Sequence, residues 1–354
     1  MTNKTLGLLL SLVVLLMLSV VFNLNDSGDD DEMTGRLLFP SLEERILSLE
    51  SVKITADNET VNLDNKENTW VVRERKAYQA DFQSLYPLIE GLAEARILER
   101  KTSRAENLVH LGLDDQSVRH IELKSGTDTF DLLVGDQPSG RKGRYVRFPD
   151  DNQAWLIDRE LELKDSPAEW LQPVIIDIDS ALVIGARVES PDGEQLEVVR
   201  DEPSGDLKLV SLPSGKKLKY PGITNELGRA LTNVRLKDIV IDETIDWQDA
   251  WKAEFTLSSG YRINVRTINL DDRYLLAVDV RDKDRSVEPE AQEVSGQDTD
   301  ADSDAQGAVE ENADQPRDED LYAAYSGLFE YVFVVEEHVF GEFAIRVSDW
   351  TDAD

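Results

Sequence analysis

Three hydrophobic patterns follow one another along the chain. The first is a continuous apolar run from Leu6 to Leu24, LGLLLSLVVLLMLSVVFNL, relieved only by Ser11, Ser19 and Asn23. As a helix rising 1.5 Å per residue, such a run matches the ~30 Å hydrocarbon core of a bilayer. Lys4 precedes it, while Asp26, Asp29, Asp30, Asp31 and Glu32 follow. Basic flanks stay cytoplasmic, so the pattern predicts a single transmembrane helix with the rest of the chain outside the cytoplasm. Cleavage as a signal peptide would require small residues at the −3 and −1 positions, for which Ser19 and Val21 are a poor pair. An uncleaved anchor is therefore expected.

The second pattern is helical. After Pro40, Ser41 and Glu44 have capping-box spacing, and Leu42, Ile46 and Leu49 recur at helical intervals, so a short amphipathic helix is predicted. The third has a period of two: VKIT, VNLD and WVVRE read as strands. A helix is predicted over Ser84 to Ile97, with Leu85, Leu88 and Leu92 on one face. Pro87 fits its first turn if Ser84 is the N-cap, and would kink it if Asp81 is.

The strand-and-helix pattern then occurs again. Trp70, Leu92 and Arg96, then Ile121, Leu123 and Gly126, then Tyr145 have counterparts in the same order at Leu209, Leu231 and Arg235, then Phe255, Leu257 and Gly260, then Tyr274. A second helix is expected over Thr224 to Val234, with Leu227 and Leu231 inward. After Arg281 the second unit is interrupted, and the returning segment from Tyr322 is expected to supply its last strands opposite AWLID at Trp155. Residues 286–320 hold thirteen acids, one base (Arg317) and no aromatic residue, the composition of a disordered acidic insert. The resulting reading is an α+β chain. Residues 1–25 are a cytoplasmic tip and anchor, and 26–48 a linker with the short helix. Two repeated β-rich units at 49–171 and 181–350 carry one main helix each, the second containing the insert at 286–320.

Charge narrows the function. Asp and Glu number 72 against 38 Lys and Arg, a formal net charge of −34. Ordinary nucleic-acid binding needs a basic face and is excluded, and anionic lipid surfaces are disfavoured. No cysteine is present, so thiolate metal sites, disulfides and cysteine nucleophiles are ruled out.

Six strings occur in order: LLFPSLEERILSLESVKI, TWVV at Thr69–Val72, YQAD at Tyr78–Asp81, NLVHLGL at Asn107–Leu113, LLVGDQPSGRKGRYVR at Leu132–Arg147 and AWLID at Ala154–Asp158. Together they resemble the bacterial family known as domain of unknown function 4340, densely from Arg36 to Asp158 and more loosely to Asp279. The resemblance implies an N-terminal membrane anchor, repeated β-rich domains and association with gliding-motility-type ABC transporter components, their permease, ATPase and auxiliary membrane protein. It brings no catalytic residue with it, and the acidic insert departs from its usual pattern.

Candidate chemistry is sparse. The string from Gly135 to Lys142 evokes a phosphate loop, but Arg141 separates Gly140 from Lys142, no hydroxyl residue follows, and GRYVRF reads as a strand, so a hairpin turn is expected. Asp300, Asp302, Asp304 and Glu311 have calcium-loop spacing, yet Ala305 stands where such a loop needs glycine. Asp177 and Asp179 form one of many close carboxylate pairs in so acidic a chain. His110, His120 and His338 have no nucleophile placed beside them. The tryptophans Trp70, Trp155, Trp170, Trp247, Trp251 and Trp350 read as packing residues rather than a glycan platform. No catalytic, cofactor or metal residue is assigned. The expected function is a membrane-tethered, extracytoplasmic, non-catalytic interaction module serving an ABC-type transport system through its permease or auxiliary subunit. The expected location is the bacterial inner membrane, with the bulk of the chain in the periplasm. An envelope hydrolase or glycan-binding protein is the alternative.

Overall fold

The computed structural model describes residues 33–57, 59–281 and 318–353. The chain divides into two units after Gln172. In the first, strands β1 (Ser51–Ala56), β2 (Glu59–Lys66), β3 (Thr69–Val72), β4 (Tyr78–Gln79), β5 (Ile97–Arg100), β6 (Arg119–Ser125), β7 (Asp128–Val134), β8 (Arg144–Arg147) and β9 (Ala154–Ile157) form one antiparallel sheet. Its order is β4-β3-β2-β1-β6-β7-β8-β9-β5. The period-two pattern fixes the register. Leu63, Val52, Leu123 and Phe130 line up in one row across β2, β1, β6 and β7, and Val61, Ile54, Ile121 and Leu132 in another. All eight are buried. A one-residue slip would expose both rows, so the register is strongly specified.

Helix α1 (Phe82–Glu94) leaves β4 and buries Leu85, Leu88, Ile89, Leu92 and Ala93. Asp81 is its N-cap: the carboxylate accepts from the Gln83 N–H at 3.1 Å and from the Ser84 hydroxyl at 2.6 Å. Pro87 consequently lies inside the helix rather than in its first turn. Trp170 is fully buried, donates its indole N–H to the Lys164 carbonyl at 2.9 Å, and lies under the Lys164 ammonium. The Trp170 carbonyl accepts from Asp81 N–H at 2.7 Å, so the last turn of this unit is tied to the helix start.

The second unit contains β10 (Val174–Ile176), β11 (Val183–Glu189), β12 (Gln195–Arg200), β13 (Leu207–Leu209), β14 (Lys216–Leu218), β15 (Val234–Ile239), β16 (Trp251–Leu257), β17 (Arg262–Leu270), β18 (Arg273–Arg281), β19 (Phe333–Val335) and β20 (Thr351–Ala353). Its large sheet runs β10-β15-β19-β18-β17-β16-β11-β12-β13, and β14 pairs with β20 separately. Read from β13, eight strands repeat the order seen from β3 to β5 in the first sheet. The landmark residues fall on corresponding strands: Trp70 and Leu209 on β3 and β13, Ile121 and Phe255 on β6 and β16, Tyr145 and Tyr274 on β8 and β18. β19, which returns after the acidic insert, occupies the place that β9 has in the first sheet. Two apolar rows again cross the centre, Leu196–Val188–Ala253–Val265–Val278 and Val198–Ala186–Phe255–Ile263–Val280. Helix α3 (Glu337–Phe343) packs on β16, β17 and β18, with Phe343 edge-on to Phe255 at 6.0 Å.

The α+β assignment with an N-terminal transmembrane helix and one main helix per unit is corrected by these elements. The described chain is mostly β-sheet, with twenty strands in three sheets. No helix among the described residues is long and apolar enough to cross a membrane. The run Leu6–Leu24 lies outside the described residues, as does the acidic insert up to Arg317.

In the second unit the expected helix over Thr224–Val234 shrinks to α2, Asn225–Arg229. Gly228 lowers helix propensity there, and its missing Cβ makes room for the Leu207 side chain. Beyond it, Asn233 takes a left-handed φ of 51°. Its N–H goes to the Asp177 carboxylate at 2.8 Å, while the Thr232 hydroxyl goes to the Ile178 carbonyl at 2.9 Å. These bonds turn the chain into β15. Near the N-terminus, Leu42–Arg45 is helical and continues as a 3₁₀ turn, but the Ser41 side chain makes no capping bond.

Gly112 and Gly135 explain two of the family-like strings. Gly112 has φ 64°, and a Cβ there would lie 2.6 Å from the Asp136 carboxyl carbon. A Cβ on Gly135 would collide with the Leu111 carbonyl and sit 2.9 Å from Leu113 Cγ. The two strings meet through the bond from Asp136 N–H to Leu111 carbonyl, 2.8 Å. Gly135→Ala is expected to destabilise the first unit by about 1–3 kcal/mol, the usual range for overpacking. Gly126→Ala, at a turn where a Cβ would meet nothing within 4 Å, should cost about 1–2 kcal/mol from backbone strain alone. Urea unfolding should show the Gly135 variant at or above the Gly126 variant in cost.

A candidate docking face and a neighbouring groove

The outer face of the second sheet presents the polar half of the same alternation. Across β12, β11, β16, β17 and β18, one row reads Glu197, Arg187, Glu254, Asn264 and Asp279, and the next Gln195, Glu189, Lys252, Arg266 and Ala277. Opposite charges face each other: Arg187 meets Glu197 at 2.9 Å and Lys252 meets Glu189 at 3.0 Å. Arg281 reaches back to Asp279 at 2.6 Å, and the Arg266 guanidinium lies 4.9 Å from the Trp247 ring centre. Each exposed pair contributes little to stability. The Lys252 ammonium keeps the Glu189 carboxyl below its ordinary range, and Glu197 raises the Arg187 guanidinium further.

This face floors a cavity of about 480 Å³, walled on one side by Phe329. A second depression of about 310 Å³ shares Arg187 and Glu254 and extends to Ile184 and Val199. Ile184, Val199 and Phe329 are exposed, Phe329 to 64%. Arg262 stands directly opposite Arg281 at the end of the same face. A patterned ionic floor with apolar knobs at its margins suits contact with another protein surface.

A separate groove of about 660 Å³ lies in the same unit, between the approach to α2, helix α3 and the segment Ala344–Trp350. That segment is anchored by Arg346, which pairs with Asp192 at 3.0 Å and Glu194 at 2.7 Å and stacks over Trp251. His338 lines the groove.

The other residues singled out in the sequence are not brought together. His120 pairs with Asp131 across β6 and β7, and His110 lies in a 3₁₀ turn ahead of Gly112. Asp177 and Asp179 bind backbone N–H groups of Asn233 and Ala181. Gly135–Gly143 connects the antiparallel strands β7 and β8. Trp70, Trp155, Trp170 and Trp350 are buried, and Trp247 and Trp251 partly so. Asp300–Glu311 lies outside the described residues. Among the described residues no group of three or more His, Asp or Glu could hold a metal ion. The docking face itself has one signal in sequence, the alternating charges of WKAEFTL and RINVRTINL, and it is read only once the strand neighbours are known.

Sheet order and surface together define a two-unit antiparallel β protein with a charge-patterned polar face. The family model for the domain of unknown function DUF4340 matches residues 70–259, from β3 of the first unit to the β16–β17 turn of the second. The chain belongs to that family. Comparison with curated proteins and with solved structures gave no match.

Arg346 and the Ser190 hydroxyl hold the Asp192 carboxyl down to about 2. A carboxyl depressed on folding adds stability that is complete above its ordinary value and disappears as pH falls toward 2. Carbon-detected NMR titration should therefore place the Asp192 midpoint near 2, and Arg346→Gln should return it toward the ordinary Asp value.

Proposed function

We propose that the chain is an extracytoplasmic, non-catalytic interaction module, an auxiliary component of an ABC-type transport system, docking the permease or auxiliary subunit through the outer face of its second sheet. The observation that carries this reading is the ordered floor of Arg187, Glu189, Lys252, Glu254 and Asp279 bordered by exposed Phe329, Ile184 and Val199. Placement at the outer side of the bacterial cytoplasmic membrane draws support from the apolar run Leu6–Leu24 and the charge asymmetry about it. A net charge of −34 repels anionic headgroups, so the contact is with protein rather than with lipid. The transporter partner rests on the family resemblance.

The envelope hydrolase or glycan-binding alternative draws on the groove beside α3, which holds three carboxyls. Two of them are already engaged, Glu226 by the Tyr220 hydroxyl and Asp349 by the Arg346 N–H. Glu342 remains without a second free carboxyl for paired acid–base work.

Photocrosslinking from position 329 in intact membranes should capture a transporter permease or auxiliary subunit. Arg187→Glu combined with Phe329→Ala should weaken co-purification of that subunit about tenfold or more, the effect of losing one central contact. Capture confined to the first unit, or co-purification unchanged by the double substitution, would refute this face as the docking surface.

A further inference from the structure

The groove beside α3 differs from the rest of this acidic surface. Its floor is apolar: Ile223 and Trp350 are buried, and Ala344 and Ile345 partly so. Lys219 and Arg229 line it, and their side chains make no ion pair or hydrogen bond among the described residues. Both cations converge on the one concavity, in a chain with 72 acids and 38 bases. Of the acids present, Glu226 and Asp349 are held by Tyr220 and by the Arg346 N–H, as described above. His338 and Glu342 stand four residues apart, on one face of α3.

We infer that this groove binds a small organic anion with an apolar body, its anionic group met by Lys219 and Arg229 and its body lying on Ile223, Ile345 and Trp350. Cavities of about 300–1,000 Å³ with an apolar lining and a few convergent polar groups are the usual form of small-molecule sites, and this one is about 660 Å³. Desolvation raises the Glu342 carboxyl above its ordinary range. The other charged and titratable groups around it are Lys219, Tyr220, Glu226, Arg229, His338 and Asp349.

Gly341 offers a direct test. It lies in α3 on the groove wall, and a Cβ there would meet nothing within 4 Å. Gly341→Leu therefore starts from open space on the groove wall and projects its side chain into the groove, and leucine also favours the helix over glycine. Octanoate is the probe, measured by titration calorimetry on the full chain, with octanol and inorganic phosphate as neutral and purely ionic controls. Octanoate should bind with one-to-one stoichiometry, and both controls should bind at least tenfold more weakly. Lys219→Gln with Arg229→Gln should weaken octanoate at least tenfold. Gly341→Leu should abolish binding while leaving the melting temperature unchanged or higher. Glu342→Gln should bind as tightly as the parent or more so. Equal binding of octanol, retained binding in the Gly341 variant, or loss of binding in Glu342→Gln would each overturn the assignment. Phosphate binding as tightly as octanoate would overturn the apolar part of it. None of these outcomes depends on the docking face of the second sheet.

Discussion

Each unit is held together by one long-range strand pairing. β1 lies between β2, its hairpin partner, and β6, reached only after α1 and β5. β11 stands in the same position between β12 and β16. Without the β1–β6 and β11–β16 ladders, each sheet would separate into two strand groups, four and five strands in the first unit and three and six in the second, with open edges and the apolar rows cut at the junction. Closing so long a loop carries an entropy cost, which the continuous apolar rows offset by burying a Val, Ile, Leu or Phe at nearly every crossing. The rows cross the junction without interruption, so the pairing and the core are one constraint.

That constraint also sets the outer surface. Because successive side chains point to opposite faces, fixing Ala186, Phe255 and Ile263 inward fixes Arg187, Glu254 and Asn264 outward. The position of each charge on the docking face is then set by the same register that builds the core beneath it. Such order lowers the entropy lost when a partner settles on it. The groove beside α3 is built differently, from helix and loop, and depends on Arg346 to hold one of its walls against the β11–β12 turn.

The two-unit organisation has a further consequence at the insert. β18 ends at Arg281 and β19 begins at Phe333, yet the two strands are neighbours in the sheet. Chain can be added between adjacent strand ends at small thermodynamic cost, since closure entropy rises only with the logarithm of loop length. The first unit makes the equivalent connection, β8 to β9, with a short turn.

Much of this was legible in the sequence because hydrophobic periodicity acts locally. The period-two strings predicted β1, β2 and β3, and the order of matched landmarks predicted that Trp70 and Leu209, or Tyr145 and Tyr274, would share a place in their sheets. Helix lengths were less legible. Leu227 and Leu231 have helical spacing, but a bond from Thr232 to Ile178 and another from Asn233 to Asp177 end α2 early, and both partners lie on a distant segment. The N-cap of α1 was open between Asp81 and Ser84 until the Trp170 carbonyl fixed the Asp81 backbone. The sites were least legible, since Arg187, Lys252 and Glu197 become neighbours through register, and Lys219, Arg229 and Glu342 through the packing of α3. Sequence by itself determined which side of each strand is apolar, because that depends on residue type and a period of two. Tertiary structure alone decided which charges meet and which stay unpaired, because Coulomb and hydrogen-bond energies depend on distances between strands that the chain order does not contain.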